Sequence, residues 1–478
     1  MLYIDGQWIE SESKHWFSVK NPANGEEIGK VADGNRSDAR MAIETASESL
    51  RSWSKLTAYE RSSYLYKAYE IMMERKEELA RLMTIEQGKP IKAARNEVQY
   101  GADFLLWYAE EAKRIYGDII PAPRRDQRFL VIRQPVGVVG AITPWNYPVS
   151  MITRKVAPAL AAGCTIVLKP AEQTPLCARE VIRVLADAGI PHGVINLIST
   201  SKPEDIGEEL LTNPAVKKIT FTGSTEVGKV LAEKAARNVK RISMELGGHA
   251  PFIIYDDADP VHAAKGVALV KFLNTGQACI SPNRIFVHRS IAEQFMQTLI
   301  ERVSKLKAGN GLEEGINIGP LVNEEATEKV DRQVKDAIEK GARLETGGYK
   351  MKDNGLDKGH YYAPTILSGV NSEMRIYREE TFGPVAPIIL FDSDEEVMEM
   401  ANDTNYGLAA YVYTNSLSKA MRAFEELNFG IIGINDINPT SAAAPFGGMN
   451  DSGLGREGGR EGIEEYLETK LGGFSLFL

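Results

Sequence analysis

Thiols are scarce in this chain. Its 478 residues hold three cysteines, Cys164, Cys177 and Cys279, too few and too scattered for a disulfide framework or a thiolate metal site, which fits a reducing compartment. The six histidines are isolated and none has ligand spacing, so metal hydrolysis and Ser-His-Asp chemistry find no support and no metal is expected. Positive charge is not in excess either. A formal net charge of -9 without any Lys/Arg cluster argues against nucleic acid or an anionic membrane surface as a partner. No apolar run approaches the roughly 20 residues of a membrane helix. The stretch from Met1 to Trp8 lacks the basic and apolar regions of a leader, so a cytoplasmic protein with no membrane association is expected. Internal repeats, low-complexity tracts and charge blocks are missing as well.

What is present is an ordinary globular composition, 43% hydrophobic and 25% charged, with length enough for roughly three domains. Short β-type runs and a turn at Asn21-Pro-Ala-Asn-Gly25 open the chain. Ile43, Ala46 and Leu50 then recur at helical spacing, and Thr57 and Glu60 form a capping-box pattern ahead of Leu65, Ala68 and Met72. A further helical run from Leu79 to Ile85 stops at Gly88 and Pro90. From Phe129 to Thr143 the pattern turns to β, and its interruption by Pro135 and Gly137 predicts passage from one layer to another.

Strand-like runs from Cys164 to Leu168, Val194 to Ile198 and Lys217 to Phe221 alternate with amphipathic helices such as Pro175 to Ala188, which predicts a parallel α/β sheet. The alternation resumes with a strand from Arg284 to Val287 and helices carrying Phe295, Leu299 and Val303, then Val330, Val334 and Ile338. Strands from Val385 to Phe391, Leu408 to Thr414 and Gly430 to Asn435 complete a second α/β layer. Cys279 falls near the junction of the two units, where pockets tend to form.

Five segments carry candidate chemistry. Asn274-Thr-Gly-Gln-Ala-Cys279 sets one thiol in a short polar stretch between apolar runs. Cys279 is either a small buried side chain or a nucleophile awaiting a base. Glu245, in Ser243-Met-Glu-Leu-Gly-Gly248 at a strand end, is costly to bury unless it works as a base or pairs with a lysine. The loop Thr143-Pro-Trp-Asn-Tyr-Pro148 is a rigid turn, or one whose Asn146 amide donates to an oxyanion. Phe221-Thr-Gly-Ser-Thr-Glu-Val-Gly228 follows a strand and opens a helix, so it is a tight turn or a pyrophosphate site, though not G-x-G-x-x-G. Lys169 and Glu172, also at a strand end, suit ribose hydroxyls or form a solvated pair.

Together and in this order, these segments resemble the aldehyde dehydrogenase superfamily over essentially the whole chain. The matches are Pro144-Trp-Asn146, Lys169-Pro-Ala-Glu172, Gly223-Ser-Thr-x-x-Gly228, Glu245-Leu-Gly-Gly248, Asn274-x-Gly-Gln-x-Cys279, Glu379-Glu-Thr-Phe-Gly-Pro384, and Pro445-Phe-Gly-Gly448 with Ser452-Gly-Leu-Gly-Arg-Glu457. Asn450 departs from the family's usual lysine in the last motif. The resemblance implies an α/β fold with a Rossmann-type cofactor domain, an α/β catalytic domain and a β-arm for oligomerisation. Residues 1–117 and 138–246 would bind NAD, 247–446 would be catalytic, and 118–137 with 447–478 would bridge subunits. It implies Cys279 as nucleophile, Glu245 as the base that activates water, and Asn146 as oxyanion donor. Thr143, Trp145, Lys169, Glu172, Gly223, Ser224, Gly228, Glu380 and Phe382 would hold the cofactor. Glu172, as a carboxylate, would favour NAD over NADP, with NADP still possible.

Within the superfamily the chain looks most like succinate-semialdehyde dehydrogenases, which hold the substrate's distal carboxylate with two arginines and a serine. Arg154 and Ser441 match one arginine and the serine, whereas the second arginine is Leu273 here, a loss that weakens carboxylate binding unless something replaces it. The implied activity is NAD(P)-dependent oxidation of a short aldehyde with an anionic tail, such as succinate semialdehyde, to its acid. Hydroxylated or sulfonated three-carbon aldehydes (lactaldehyde- or sulfolactaldehyde-like) are the alternative, followed by a CoA-acylating enzyme, which Glu245 argues against, and a non-catalytic relative. The apolar ending Gly-Gly-Phe-Ser-Leu-Phe-Leu478 points to a sheet-edge contact in a homodimer or homotetramer.

Overall fold

The parallel strands read from the sequence close into one sheet. In the computed structural model, which describes residues 1–476, Arg241–Glu245, Val216–Thr222, Val138–Ile142, Thr165–Lys169 and Ile195–Leu197 lie side by side in that order, all parallel. Their near-continuous apolar character follows from burial on both faces. Val139, Ala141, Ile166 and Leu168 enter one apolar cluster, while the alternate residues Val138 and Val167 enter another. Antiparallel strands finish the edges, Leu2–Ile4 and Gln7–Ile9 beyond Ile195–Leu197, and Gly453–Leu454 beyond Arg241–Glu245, for eight strands in all.

The register brings the carboxyl ends of the parallel strands level, with Ile142 opposite both Lys169 and Phe221, and Thr222 opposite Glu245. Residues just beyond these ends therefore leave the sheet along one edge, the side on which open α/β sheets bind ligands.

A second sheet of seven strands has the order Arg343–Thr346, Thr365–Ser368, Val385–Phe391, Pro282–His288, Ala250–Ile254, Ala409–Tyr413 and Ile431–Ile434, parallel except for its first member. Glu245 ends the last parallel strand of the first sheet, and Ala250 begins the first strand of the second. Only Leu246 to His249 lies between them.

The stretch interrupted by Pro135 and Gly137 does change layers. Gln127–Pro135 lies in a separate three-stranded antiparallel sheet, between Asp118–Ile120 and Leu467–Ser475, while Val138–Ile142 enters the large sheet. The segment 447–478 thus divides its pairing, giving Gly453–Leu454 to the first sheet and Leu467–Ser475 to the arm. Phe477 and Leu478, part of the apolar ending singled out above, lie outside the described residues. No helix among the described residues is long and apolar enough to cross a membrane.

Local signals explain the helix ends near the site. Thr57 Oγ1 accepts from the Glu60 amide at 3.2 Å while the Glu60 carboxylate accepts from the Thr57 amide at 2.7 Å, a reciprocal capping box for Ala58–Glu74. Gly88, at φ 94°, ends Lys76–Gln87, and after Pro90 the helix Ile91–Glu111 begins beside the cavity described below.

Candidate active site

The loop bearing Cys279 is built on backbone that most residues avoid. After the helix Pro260–Phe272, Asn274 and Thr275 adopt φ 49° and 57°, in the left-handed region, and Gly276 follows at φ 74°. Side chains hold this conformation. Asn274 Nδ2 donates to the carbonyls of Asn146 (3.1 Å) and Gln277 (3.2 Å). Thr275 Oγ1 donates to the Gly319 carbonyl at 3.1 Å and accepts from its amide at 3.0 Å. Gln277 Oε1 accepts from the Val322 amide at 3.0 Å. At Gly276 a Cβ would stand 2.1 Å from the Gly383 carbonyl oxygen, so the glycine permits a close backbone crossing.

Cys279 emerges from this loop half-buried, on the wall of a cavity of about 580 Å³ lined also by Tyr147, Arg154, Phe272, Leu273 and Phe446. Burial, with the charge of Glu245 next, pushes its thiol well above the usual range, so the resting sulfur is protonated and needs a base.

Asn146 comes from the loop after Val138–Ile142. Its Nδ2 donates to the Gln277 carbonyl at 3.1 Å, and its own carbonyl accepts from Lys89 Nζ at 2.7 Å. One Nδ2 hydrogen is thereby used and the second is available toward the cysteine loop. Its Oδ1 is buried without a partner among the described residues.

Glu245 is 2% exposed. Its Oε2 accepts from Arg154 Nη2 at 3.2 Å, while Oε1 has no partner among the described residues. Burial raises its carboxyl above the usual range, against the pull of Arg154. Arg154, on the helix Ser150–Ala162, also forms an ion pair with Glu457 at 2.5 Å and lies over the Phe446 ring at 4.1 Å from its centroid. Lys155 bonds the same Glu457 and donates to Thr222 Oγ1 at 2.7 Å.

Arg154 therefore lines the cavity, as expected of a substrate residue, but with two carboxylates already on its guanidinium. Ser441 is not on the lining. Its Oγ accepts from the Ala443 amide at 3.2 Å, and the neighbouring Thr440 faces the cavity instead. Sequence reasoning did not find Glu457 and Lys155, which join Arg154 and through it Glu245 in one buried charge network. Both stand in or beside quoted motifs, so a search for buried charge around Arg154 had a signal to follow.

The candidate cofactor residues gather along the carboxyl edge of the first sheet. The Thr143 amide donates to the Lys169 carbonyl at 3.1 Å, and Thr143 Oγ1 is buried with no partner among the described residues. Lys169 pairs with Glu172. Ser224 caps the helix Thr225–Ala236, Oγ accepting from the Val227 amide at 3.3 Å, which aims the positive helix end beside Gly223. At Gly228 a Cβ would stand 2.4 Å from Leu246 Cδ2, so glycine lets this helix sit close against the residue after the Glu245 strand. Trp145 and Phe382 meet edge to face at 5.6 Å. Glu380 accepts from the Gly248 amide at 2.9 Å, and burial pushes its carboxyl up to about 7. An unpartnered hydroxyl, a capped helix N-terminus and glycines at close approaches fit a dinucleotide laid across the ends of adjacent strands.

A second cavity, of about 500 Å³ and lined by Tyr377, Arg378, Met400 and Asp403 among others, contains none of these residues, and its Arg378–Asp403 pair closes on itself at 2.7 Å.

Comparison with known proteins agrees with this geometry. The sequence model described as the aldehyde dehydrogenase family matches residues 8–471. A probable succinate-semialdehyde dehydrogenase [NADP(+)] of Sinorhizobium fredii is 50% identical over 454 residues, covering 95% of this chain and 92% of that protein. A 3-sulfolactaldehyde dehydrogenase of Pseudomonas putida is 47% identical over 474 residues, covering 98% and 97%. Among solved structures, an E. coli NADP-dependent enzyme superposes with a TM-score of 0.97 at 47% identity, covering 99% of this chain and 98% of its own.

Proposed function

Because the chain belongs to the aldehyde dehydrogenase family and is an NAD(P)-dependent aldehyde-oxidising enzyme, we propose that Cys279, Glu245 and Asn146 convert a short anionic aldehyde, succinate semialdehyde first, to its acid. One observation carries this reading: the only half-exposed thiol of the chain opens into the cavity that Arg154 lines, and Arg154 holds the buried Glu245.

The chemistry follows from these groups. Glu245, a carboxylate with a raised proton affinity, takes the thiol proton, and the thiolate adds to the aldehyde carbon to form a thiohemiacetal. The oxyanion accepts from Asn146 Nδ2 and the Cys279 amide, donors that the Asn274 and Gln277 bonds fix before reaction. The acceptor for the hydride of the thiohemiacetal would be supplied by NAD(P), held by the residues named below. That leaves an enzyme thioester. Once the first proton has passed from Glu245 to solvent, its carboxylate takes a proton from water, which attacks the thioester carbon; the Cys279 thiolate departs and recovers that proton as the carboxylate product leaves. Release to water rather than to CoA is favoured because this base is present.

Thr143, Trp145, Lys169, Glu172, Gly223, Ser224, Gly228, Glu380 and Phe382 are proposed to hold the dinucleotide. Glu172 would oppose a 2'-phosphate and keeps Lys169 occupied, so NAD is the preferred cofactor. Two of the relatives are named for NADP, which makes this preference the part most in need of measurement. Arg154, with Ser441 or the adjacent Thr440, is proposed for the substrate's tail. A cofactor domain of residues 1–117 and 138–246, a catalytic domain of 247–446 and bridging segments 118–137 and 447–478 are proposed; the two large sheets and the arm support this division except at Gly453–Leu454, which pairs with the first sheet. A homodimer or homotetramer in a reducing, cytoplasmic compartment is consistent with that arm and with three free cysteines. A sulfonated three-carbon aldehyde remains the second reading, favoured by the 47% identical sulfolactaldehyde enzyme.

A panel of succinate semialdehyde, glutarate semialdehyde, lactaldehyde, sulfolactaldehyde and butanal, each with NAD and with NADP, tests the assignment. The expected result is highest kcat/KM for succinate semialdehyde with NAD, and loss of turnover in Cys279→Ala with dinucleotide binding retained. Turnover surviving in Cys279→Ala, or strict dependence of product formation on CoA, overturns the mechanism.

A further inference from the structure

Three cations line the Cys279 cavity: Lys89, Lys92 and Arg154. Two are neutralised where they stand. Lys89 is fully buried, paired with Glu97 and donating to the Asn146 carbonyl at 2.7 Å. Arg154 is shared between Glu245 and Glu457. Lys92 differs on both counts. It is exposed, and it makes no ion pair or side-chain hydrogen bond among the described residues. It stands second in the helix Ile91–Glu111, whose first turn has no side-chain cap and no acidic residue. A lysine there gains nothing from the helix dipole, whose positive end repels it and attracts an anion.

On the lining of the same cavity Leu273 is 46% exposed, an apolar residue at the position where the resemblance places the arginine that would supply the second cation for a distal carboxylate. Glu97 is the one carboxylate on the lining, and it is already bound by Lys89 and by the Val149 amide at 2.9 Å. Among the described residues, Lys92 is thus the one charged side chain on the cavity lining without a partner, in a cleft whose largely apolar walls focus its field.

Resting on the anionic-aldehyde reading above, we propose that Lys92 is the specificity-determining cation that binds the substrate's distal carboxylate, in place of the missing arginine at Leu273. A lysine suits the task because its flexible four-carbon stem can follow a carboxylate as a point charge, without the fixed two-pronged geometry of an arginine. The buried Arg154 then adds to the tail site while it holds Glu245, and the exposed Lys92 supplies most of the discrimination between charged and neutral aldehydes.

The test is the ratio of kcat/KM for succinate semialdehyde to that for butanal, an uncharged aldehyde of equal chain length, in the wild type, Lys92→Met and Lys92→Arg. Lys92→Met should lower the ratio about 10-fold or more, with the change in the KM for succinate semialdehyde, because a single charge-assisted contact is lost. Lys92→Arg should keep the ratio within about threefold of the wild type, since it retains the charge. A merely structural lysine would change both aldehydes alike. A wild-type ratio well above one that Lys92→Met leaves intact overturns this proposal alone. A wild-type ratio near one overturns the anionic-substrate reading and this proposal with it.

Discussion

Glu245 is pulled in two directions at once. Burial raises its carboxyl, Arg154 at 3.2 Å draws it down, and the nearby charge of Glu457 pushes it up again. Glu457 itself stays ionised: burial works against its charge, but Lys155 and Arg154 together hold its carboxyl below the usual range. The catalytic carboxyl is left above the ordinary range, and the sign of its pH dependence follows. A general base works only when deprotonated, so kcat/KM should fall as pH drops through a value higher than that of a free glutamate. Arg154→Leu removes the main influence lowering that value and should move the acid limb to still higher pH, for charged and neutral aldehydes alike. Glu245→Gln removes the base for both steps, so thiol activation, seen as the NAD(P)H burst, and thioester hydrolysis, seen as steady turnover, should each slow by about 100-fold or more. Rapid-mixing absorbance and a pH profile check both. An unshifted limb in the Arg154 variant, or a burst and turnover at wild-type rates in the Glu245 variant, removes Glu245 from this role.

At the level of elements, most of what the sequence offered concerned periodicity, which located the strands and helices read from it but passed over the helices Ile91–Glu111, Ser150–Ala162 and Pro260–Phe272. The strand read from Val385 to Phe391 has those bounds, and the capping box at Thr57 forms both of its bonds. Ile338 shows the limit. It was read into an apolar helix face, yet it is 40% exposed, and the helix Glu324–Glu339 buries Ala337 beside Val330 and Val334 instead. Spacing fixes a face only to within a residue at the rim of the stripe. Sheet order and register could not be read at all, since they depend on contacts distant in sequence. So the levelling of Thr143, Lys169, Gly223 and Glu245 along one edge, and the meeting of Lys92 and Leu273 on the lining of one cavity, emerge only from the fold. The left-handed Asn274 and Thr275 were equally hidden, because neither residue type demands that conformation. Gly276 beside them, a residue type that permits close approach, meets the Gly383 carbonyl oxygen at what would be 2.1 Å from a Cβ. Gly276→Ala, strained at φ 74° and blocked by backbone, should destabilise the protein by about 1–3 kcal/mol or more and displace Cys279. Thermal melting together with the rate of thiol alkylation reads both effects, and a variant with wild-type melting and alkylation would mean the loop is not held as described.

Across the whole molecule, the least self-sufficient part is the arm. Its central strand Gln127–Pro135 is paired along nine residues with Leu467–Ser475, but only three residues, Asp118–Ile120, cover its other side. The stretch from Ile132 to Pro135 therefore keeps an open edge, of the kind soluble proteins cover with another chain or guard with charge. Its side chains point to the first solution. Ile119 is 78% exposed, Ile132 53% and Leu471 61%, more apolar surface than a thin three-stranded sheet can shield by itself. A second copy of the chain is the occupant consistent with an arm formed jointly by residues near 130 and 470, and the expected solution state is a homodimer or homotetramer. Ile132→Glu places a charge on this edge without touching the large sheets, and it should shift the assembly toward smaller species while leaving the melting of each subunit within a few degrees. Sedimentation velocity across a range of protein concentrations measures the shift. A wild type that sediments as a monomer at micromolar concentration, or an Ile132→Glu variant that assembles as fully as the wild type, would show that the exposed arm is not the contact between subunits.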